Sequence, residues 1–122
     1  VIPAVISDRD YVLRADGAVD AANHAFTVNI KSVDDPRKGK DSCCTRATVN
    51  RTFYRFTAVK NVNGVPQTKL EVEVNTDPKG LLPNWIVNMI QKEWPSKTLN
   101  GLVKQVNAST STPLPEFANW HD

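Results

Sequence analysis

The stretch that most limits what this chain can fold into runs from Asp77 to Val106 and opens Asp77-Pro78-Lys79-Gly80-Leu81-Leu82-Pro83-Asn84-Trp85. Asp-Pro-Lys-Gly is turn chemistry, because proline presets φ and glycine tolerates φ > 0. Pro83 suits the first helical turn, where its missing N–H has no intrahelical partner to lose. From Leu82, apolar residues return at Trp85, Ile86, Met89 and Ile90, and again at Leu99, Leu102, Val103 and Val106. Spacings of three and four predict an amphipathic helix. The segments upstream alternate like strands, so the pattern predicts one long helix that closes a sheet. At ~100° per residue the two apolar stripes point ~130° apart, and Pro95 removes a backbone hydrogen bond between them. A kink, a tightened turn or a short break is therefore expected at Trp94–Ser96. It would let both halves reach the sheet or let each face a different partner.

The strands come in order. Val1–Ile6, apolar and interrupted by Pro3, fits a strand remnant or a linker. Tyr11-Val12-Leu13-Arg14 alternates as a strand with one buried face does, and Asp16-Gly17 reads as a turn. In the next strand Phe26, Val28 and Ile30 share one face, while Asn23-His24 before it marks a bulge or turn. Thr45–Val59 puts Tyr54, Phe56 and Ala58 together, Asn63-Gly64 is a hairpin signal, and Thr68–Asn75 sets Leu70, Val72 and Val74 against charged neighbours. An antiparallel meander with one wet face and one covered by the helix follows. Between the strands, Ser32–Ser42 is long and charged enough for a gate or binding loop, or for a plain solvated connection. Asn107–Pro113 should end the helix. Phe117 and Trp120 in the polar tail that follows predict that it docks back onto the protein.

The 122 residues suit one domain, divided as residues 1–107 and a tail, 108–122. A net charge of +2, scattered along the chain, leaves no nucleic-acid footprint. No apolar run is long enough for a transmembrane helix and no leader is visible. The start at Val1, without methionine, is read as a site where a leader or N-terminal segment was removed. A soluble protein is expected, with the cytoplasm and the periplasm left open. Cys43 and Cys44 are neighbours; two reduced thiols are expected, since adjacent cysteines close a small ring and make a poor zinc site.

Catalytic chemistry needs a positioned acid, base or nucleophile. His24 lies in a turn region and His121 in the tail, and Asp8-Arg9-Asp10 reads as a corner ion-pair cluster or a tuned acid pair. No phosphate loop or spaced metal set is present, so no enzyme, cofactor or metal is expected. A curved sheet under one helix instead offers a hollow. Its lining would be Trp85, Ile86, Met89 and Ile90 from the helix with Tyr54, Phe56, Leu70 and Val72 from the sheet; the same residues fit a solid core equally well.

Several of these runs, in this order, resemble the START (StAR-related lipid transfer) domain. They are Ser7–Val12, Lys31–Gly39, Thr68–Val74 and Asp77–Asn88, the last similar to a D-P-x-G-x-x-P-x-W-L-V-N run that leads into the family's closing helix. The likeness spans roughly Ser7–Val106 and is nearest to bacterial START-like proteins. It implies an α+β helix-grip fold, a curved antiparallel sheet closed by a long C-terminal helix, in an N-terminally truncated form. It also implies a lipid or sterol-like ligand between sheet and helix, transient membrane contact, and an entrance at the Ser32–Ser42 loop. A cavity arginine found in some sterol-binding members falls nearest to Arg14, one residue short of its usual spacing. Without the domain's first strand, Thr68–Asn75 would be an open edge, so a homo-oligomer or strand exchange is expected. A polyketide cyclase or aromatase of the same superfamily, and a structural domain with a filled core, are the alternatives.

Overall fold

The computed structural model describes residues 6–112 and 114–121; most of the Val1–Ile6 segment lies outside them. Six strands precede one helix: β1 (Asp8–Asp10), β2 (Leu13–Asp20), β3 (Ala25–Ser32), β4 (Cys44–Arg46), β5 (Thr48–Val62), β6 (Val65–Asp77) and α1 (Asn84–Ala108). β2, β3, β5 and β6 form an antiparallel sheet in that spatial order, and β1 pairs in parallel with β4 beside it. An α+β helix-grip arrangement results, an antiparallel meander followed by one C-terminal helix.

Directly opposed residues of antiparallel strands share a face. The register Val19↔Phe26, Phe26↔Phe56 and Phe56↔Leu70 therefore sets one apolar row across four strands, and Gly17↔Val28, Val28↔Tyr54 and Tyr54↔Val72 set the next. Thr27, Arg55 and Glu71 line up on the other face. The β5–β6 hairpin turns at Asn63-Gly64, both with positive φ (52° and 78°), which this glycine and asparagine tolerate. Pro66, which has no N–H for a ladder, falls where the register slips between the Val59 and Val62 pairings. A second irregularity at Asn50 frees the Val49 N–H, which donates to Ser32 Oγ at 2.7 Å.

Four sequence expectations change. Asp16-Gly17 is not a turn but lies inside β2, opposite Asn29 and Val28. A Cβ at position 17 would sit 2.8 Å from Phe26 Cζ, so the glycine makes room for an aromatic ring rather than for a bend. The strand expected at Tyr11–Arg14 begins only at Leu13; Tyr11 and Val12 form the corner between β1 and β2. Helix α1 runs unbroken through Pro95, with neither a gap nor a tightened turn at Trp94–Ser96. The carbonyl that Pro95 leaves without a donor is that of Gln91, an exposed residue, where water can serve it. Of its second stripe, Leu99 and Leu102 are half-buried while Val103 and Val106 are 56% and 61% exposed. Finally, Cys43 and Cys44 are joined to each other. The chain turns at Ser42-Cys43, where Cys44 N–H donates to the Asp41 carbonyl, and this brings the neighbouring sulfurs together.

Candidate functional site

A hollow of about 270 Å³ lies between the apolar face of the sheet and α1. The sheet contributes Leu13, Ile30, Val49, Thr52, Tyr54, Val74 and Thr76, the β1–β2 corner adds Tyr11, and the helix adds Ile90, Trp94, Pro95 and Thr98. The helix positions follow from geometry: 90, 94 and 98 are spaced by four and share one side. The polar side-chain groups of the lining residues are the tyrosine and threonine hydroxyls and the Trp94 indole N–H. Burial pushes the Tyr11 hydroxyl above its ordinary range, with the charge of Arg9 opposing it, so Tyr11 stays a neutral donor near pH 7. No charged side chain lines the space. Among the described residues no group of His, Cys, Asp and Glu is placed to hold a metal.

The expected lining residues divide three ways. Tyr54 and Ile90 border the hollow. Phe56, Leu70 and Val72 belong to the same sheet face but lie further along it, beyond the lining. Trp85 and Met89 flank a separate open groove of about 420 Å³ along the helix with Asn88, Lys92 and Glu93, and Ile86 borders neither. Arg14 is a correction. It pairs with Lys31, whose side chain alternates with that of Ile30, so it sits on the polar face. There it is 65% exposed and held by Asp16 at 3.0 Å. Trp94 and Thr98 were missed because Pro95 was read as a break; the spacing Ile90-Trp94-Thr98 was the available signal.

Two arginines from the β1–β4 pair fix the segments around this site. Arg46 makes a two-pronged ion pair with Asp10, at 2.8 and 3.0 Å, and its Nη2 also donates to the Gly39 carbonyl at 2.7 Å. The loop between β3 and β4 is thereby tied to β1. The hydrogen bond from Arg46 holds the Asp10 carboxyl below the usual carboxylate range, against a smaller opposing effect of burial. Arg9 donates to the carbonyls of Pro78 (3.1 Å), Lys79 (2.6 Å) and Ser7, clamping the turn that launches α1. Lys79 and Gly80 both have positive φ there (58° and 74°), and a Cβ on Gly80 would lie 2.8 Å from Arg9 Nη2. The Asp8-Arg9-Asp10 run is thus strand β1 and not a corner cluster of its own: Asp10 pairs with Arg46 across the strands and Arg9 donates to backbone carbonyls. The loop itself borders a different cavity, of about 250 Å³, with Val33, Asp34 and Arg46 in its wall.

The tail docks, as its aromatics predict. Phe117 lies against Phe26 (6.0 Å between ring centres) and edge-on to Trp120 (4.7 Å). Trp120 stacks on His24 at 5.4 Å, and His24 Nδ1–H donates to the Trp120 carbonyl at 3.0 Å. His121 Nδ1 lies 3.2 Å from the Val59 carbonyl, which fixes the last turn on β5.

Sheet, helix and hollow together define a START-like helix-grip fold. The chain superposes on the crystal structure of human STARD10 with a TM-score of 0.65 at 22% identity, over 84% of its own length. It spans 39% of the STARD10 chain. No family model matches the chain, and no curated protein matches it in sequence. Among the described residues no helix is long and apolar enough to cross a membrane.

Proposed function

We propose that this chain binds a lipid or other hydrophobic small molecule in the hollow between its sheet and α1, and that it acts as a carrier rather than a catalyst. The observation that carries the reading is the wall of the hollow: apolar side chains with a few neutral hydroxyls and no ion. Such a wall rewards burial of hydrocarbon, at ~25 cal/mol per Å² of apolar surface, and its hydroxyls can orient one polar group. No charged side chain lines it, and Tyr11 and Tyr54 are the groups that a cyclase or aromatase reading would have to use as acid or base. The likeness in fold to STARD10 is in keeping with this reading.

Two partner surfaces go with it. Leu81 is 99% exposed and Trp85 53% at the start of α1, an apolar pair suited to transient contact with a membrane surface. Among the described residues β6 pairs with β5 on one side only, so its outer edge, Thr68–Asn75 included, is open to pairing with a second copy. Light scattering that returns a monodisperse monomer would overturn the second of these.

The binding reading is tested by titrating the protein with a fluorescent fatty acid. Trp94→Glu places a charge in the wall and should abolish binding while circular dichroism keeps the sheet signal. Met89→Glu, on the outer groove, should leave binding intact. Equal binding by wild type and Trp94→Glu would sink the proposal.

A further inference from the structure

The hollow stops at Tyr54 and Ile30, yet the apolar face that forms its floor does not. Beyond it the same face continues through Val28 and Val72 to the row of Phe26, Phe56 and Leu70. From Ile30 to Phe26 this adds four residues of strand, roughly 13 Å. The far end of the extension is occupied by the chain's own tail, with Phe117 on Phe26 and Trp120 on His24. We infer that the Phe117–Trp120 segment is a stop that sets the length of hydrophobic ligand the site accepts, by filling the part of the face that a longer chain would need. The inference rests on the binding reading above and adds a specificity determinant to it.

The chemistry suits a displaceable stop. Among the described residues its contacts include aromatic pairs and two hydrogen bonds to backbone carbonyls, with no ion pair or covalent link among them. The surface that Phe117 covers is of the kind hydrocarbon would cover, so tail and ligand compete for one patch. A short ligand fits the hollow alone and leaves the tail docked. A long one must first give up the tail's aromatic contacts, each a modest contribution. Glu116 gives this equilibrium a local reporter, because it sits in the short 3₁₀ turn Pro115–Phe117 that carries Phe117.

Octanoate and palmitate are the probes. In the unaltered protein, palmitate should speed cleavage after Glu116 by a glutamate-specific protease and octanoate should not. In Phe117→Ala/Trp120→Ala, palmitate affinity should rise about tenfold with octanoate affinity unchanged, the order expected when two aromatic contacts no longer compete. Should the double variant fail to fold, the protease experiment on the unaltered protein decides alone. If both fatty acids bind and palmitate leaves Glu116 as protected as octanoate does, the stop is refuted while the hollow stands. If neither binds, the hollow and the stop fall together.

Discussion

Gly17→Ala is expected to destabilise the protein although nothing about the backbone at position 17 demands glycine. Its φ is not in the left-handed region, so at an open site the substitution would stabilise by about 0.4–1 kcal/mol by narrowing the unfolded ensemble. The site is not open. The new Cβ would meet Phe26 Cζ at 2.8 Å, 0.6 Å inside the 3.4 Å where ordinary contact begins. The ring must move, and it is backed by Phe117 from the tail. Overpacking of this kind costs about 1–3 kcal/mol, which outweighs the entropic gain and leaves a net loss of about 1–2 kcal/mol. Urea unfolding should therefore show a lower midpoint for Gly17→Ala with an unchanged slope. In a Phe26→Leu background the clash is gone and the sign should reverse. The coupling between the two sites should then lie in the range of about 0.5–3 kcal/mol seen for residues in contact. A single variant as stable as the wild type, or no coupling, would refute the reasoning.

Ile90, 8% exposed, should cost about 2 kcal/mol on truncation to alanine. That is the low end for such changes, because it borders a space that already lacks partners on one side; urea unfolding measures it. Gly80→Ala forces an alanine into the left-handed region at about 1–2 kcal/mol and pushes Arg9 off the turn, so the start of α1 should lose hydrogen-exchange protection before the sheet does. Asp10 titrates below its ordinary 3.8 when folded, so the folded state binds that proton less readily than the unfolded chain. The stability it supplies is complete above about pH 4 and drains away as pH falls through the lower folded value. Asp10→Asn should flatten the urea midpoint's dependence on pH below 4 without abolishing it, since Asp20, Asp35 and Asp77 are lowered too. Replacing Cys43 and Cys44 together with serine should cost about 1 kcal/mol or less, because a link between neighbours removes little entropy from the unfolded chain.

The sheet was readable because its information is local. Phe26, Val28 and Ile30 alternate with polar residues, Asn63-Gly64 permits one kind of turn, and Leu70, Val72 and Val74 repeat with period two. The docking of the tail was readable for a related reason: two aromatics in a polar run need a partner. What escaped was set by contacts between segments. Gly17 resembles a turn residue until the Phe26 ring is placed above it. Pro95 resembles a helix break until the orphaned Gln91 carbonyl is seen at the surface. That misreading carried the site with it, because the sheet-facing side of α1 is set by Ile90, Trp94 and Thr98, not by the Leu82–Ile90 stripe alone. Arg14 was misplaced by resemblance, where a count of parity from Leu13 would have put it on the polar face.

The burial pattern explains why the apolar faces bound a space instead of closing on one another. The buried apolar residues among those described are Ala25, Ala47, Val49 and Ile90, and no large side chain is fully buried. A sheet and helix that met flush would hide their biggest residues first. Here Leu13, Val74 and Trp94, all bordering the hollow, remain 46%, 40% and 46% exposed. Arg9 pins the Pro78-Lys79 turn that leads into α1, and the helix continues through Pro95 with Val103 and Val106 of its later stripe left exposed. The side chains between helix and sheet leave a hollow of about 270 Å³ unfilled. The apolar surface left in that gap is the surface that a hydrophobic guest would remove from water.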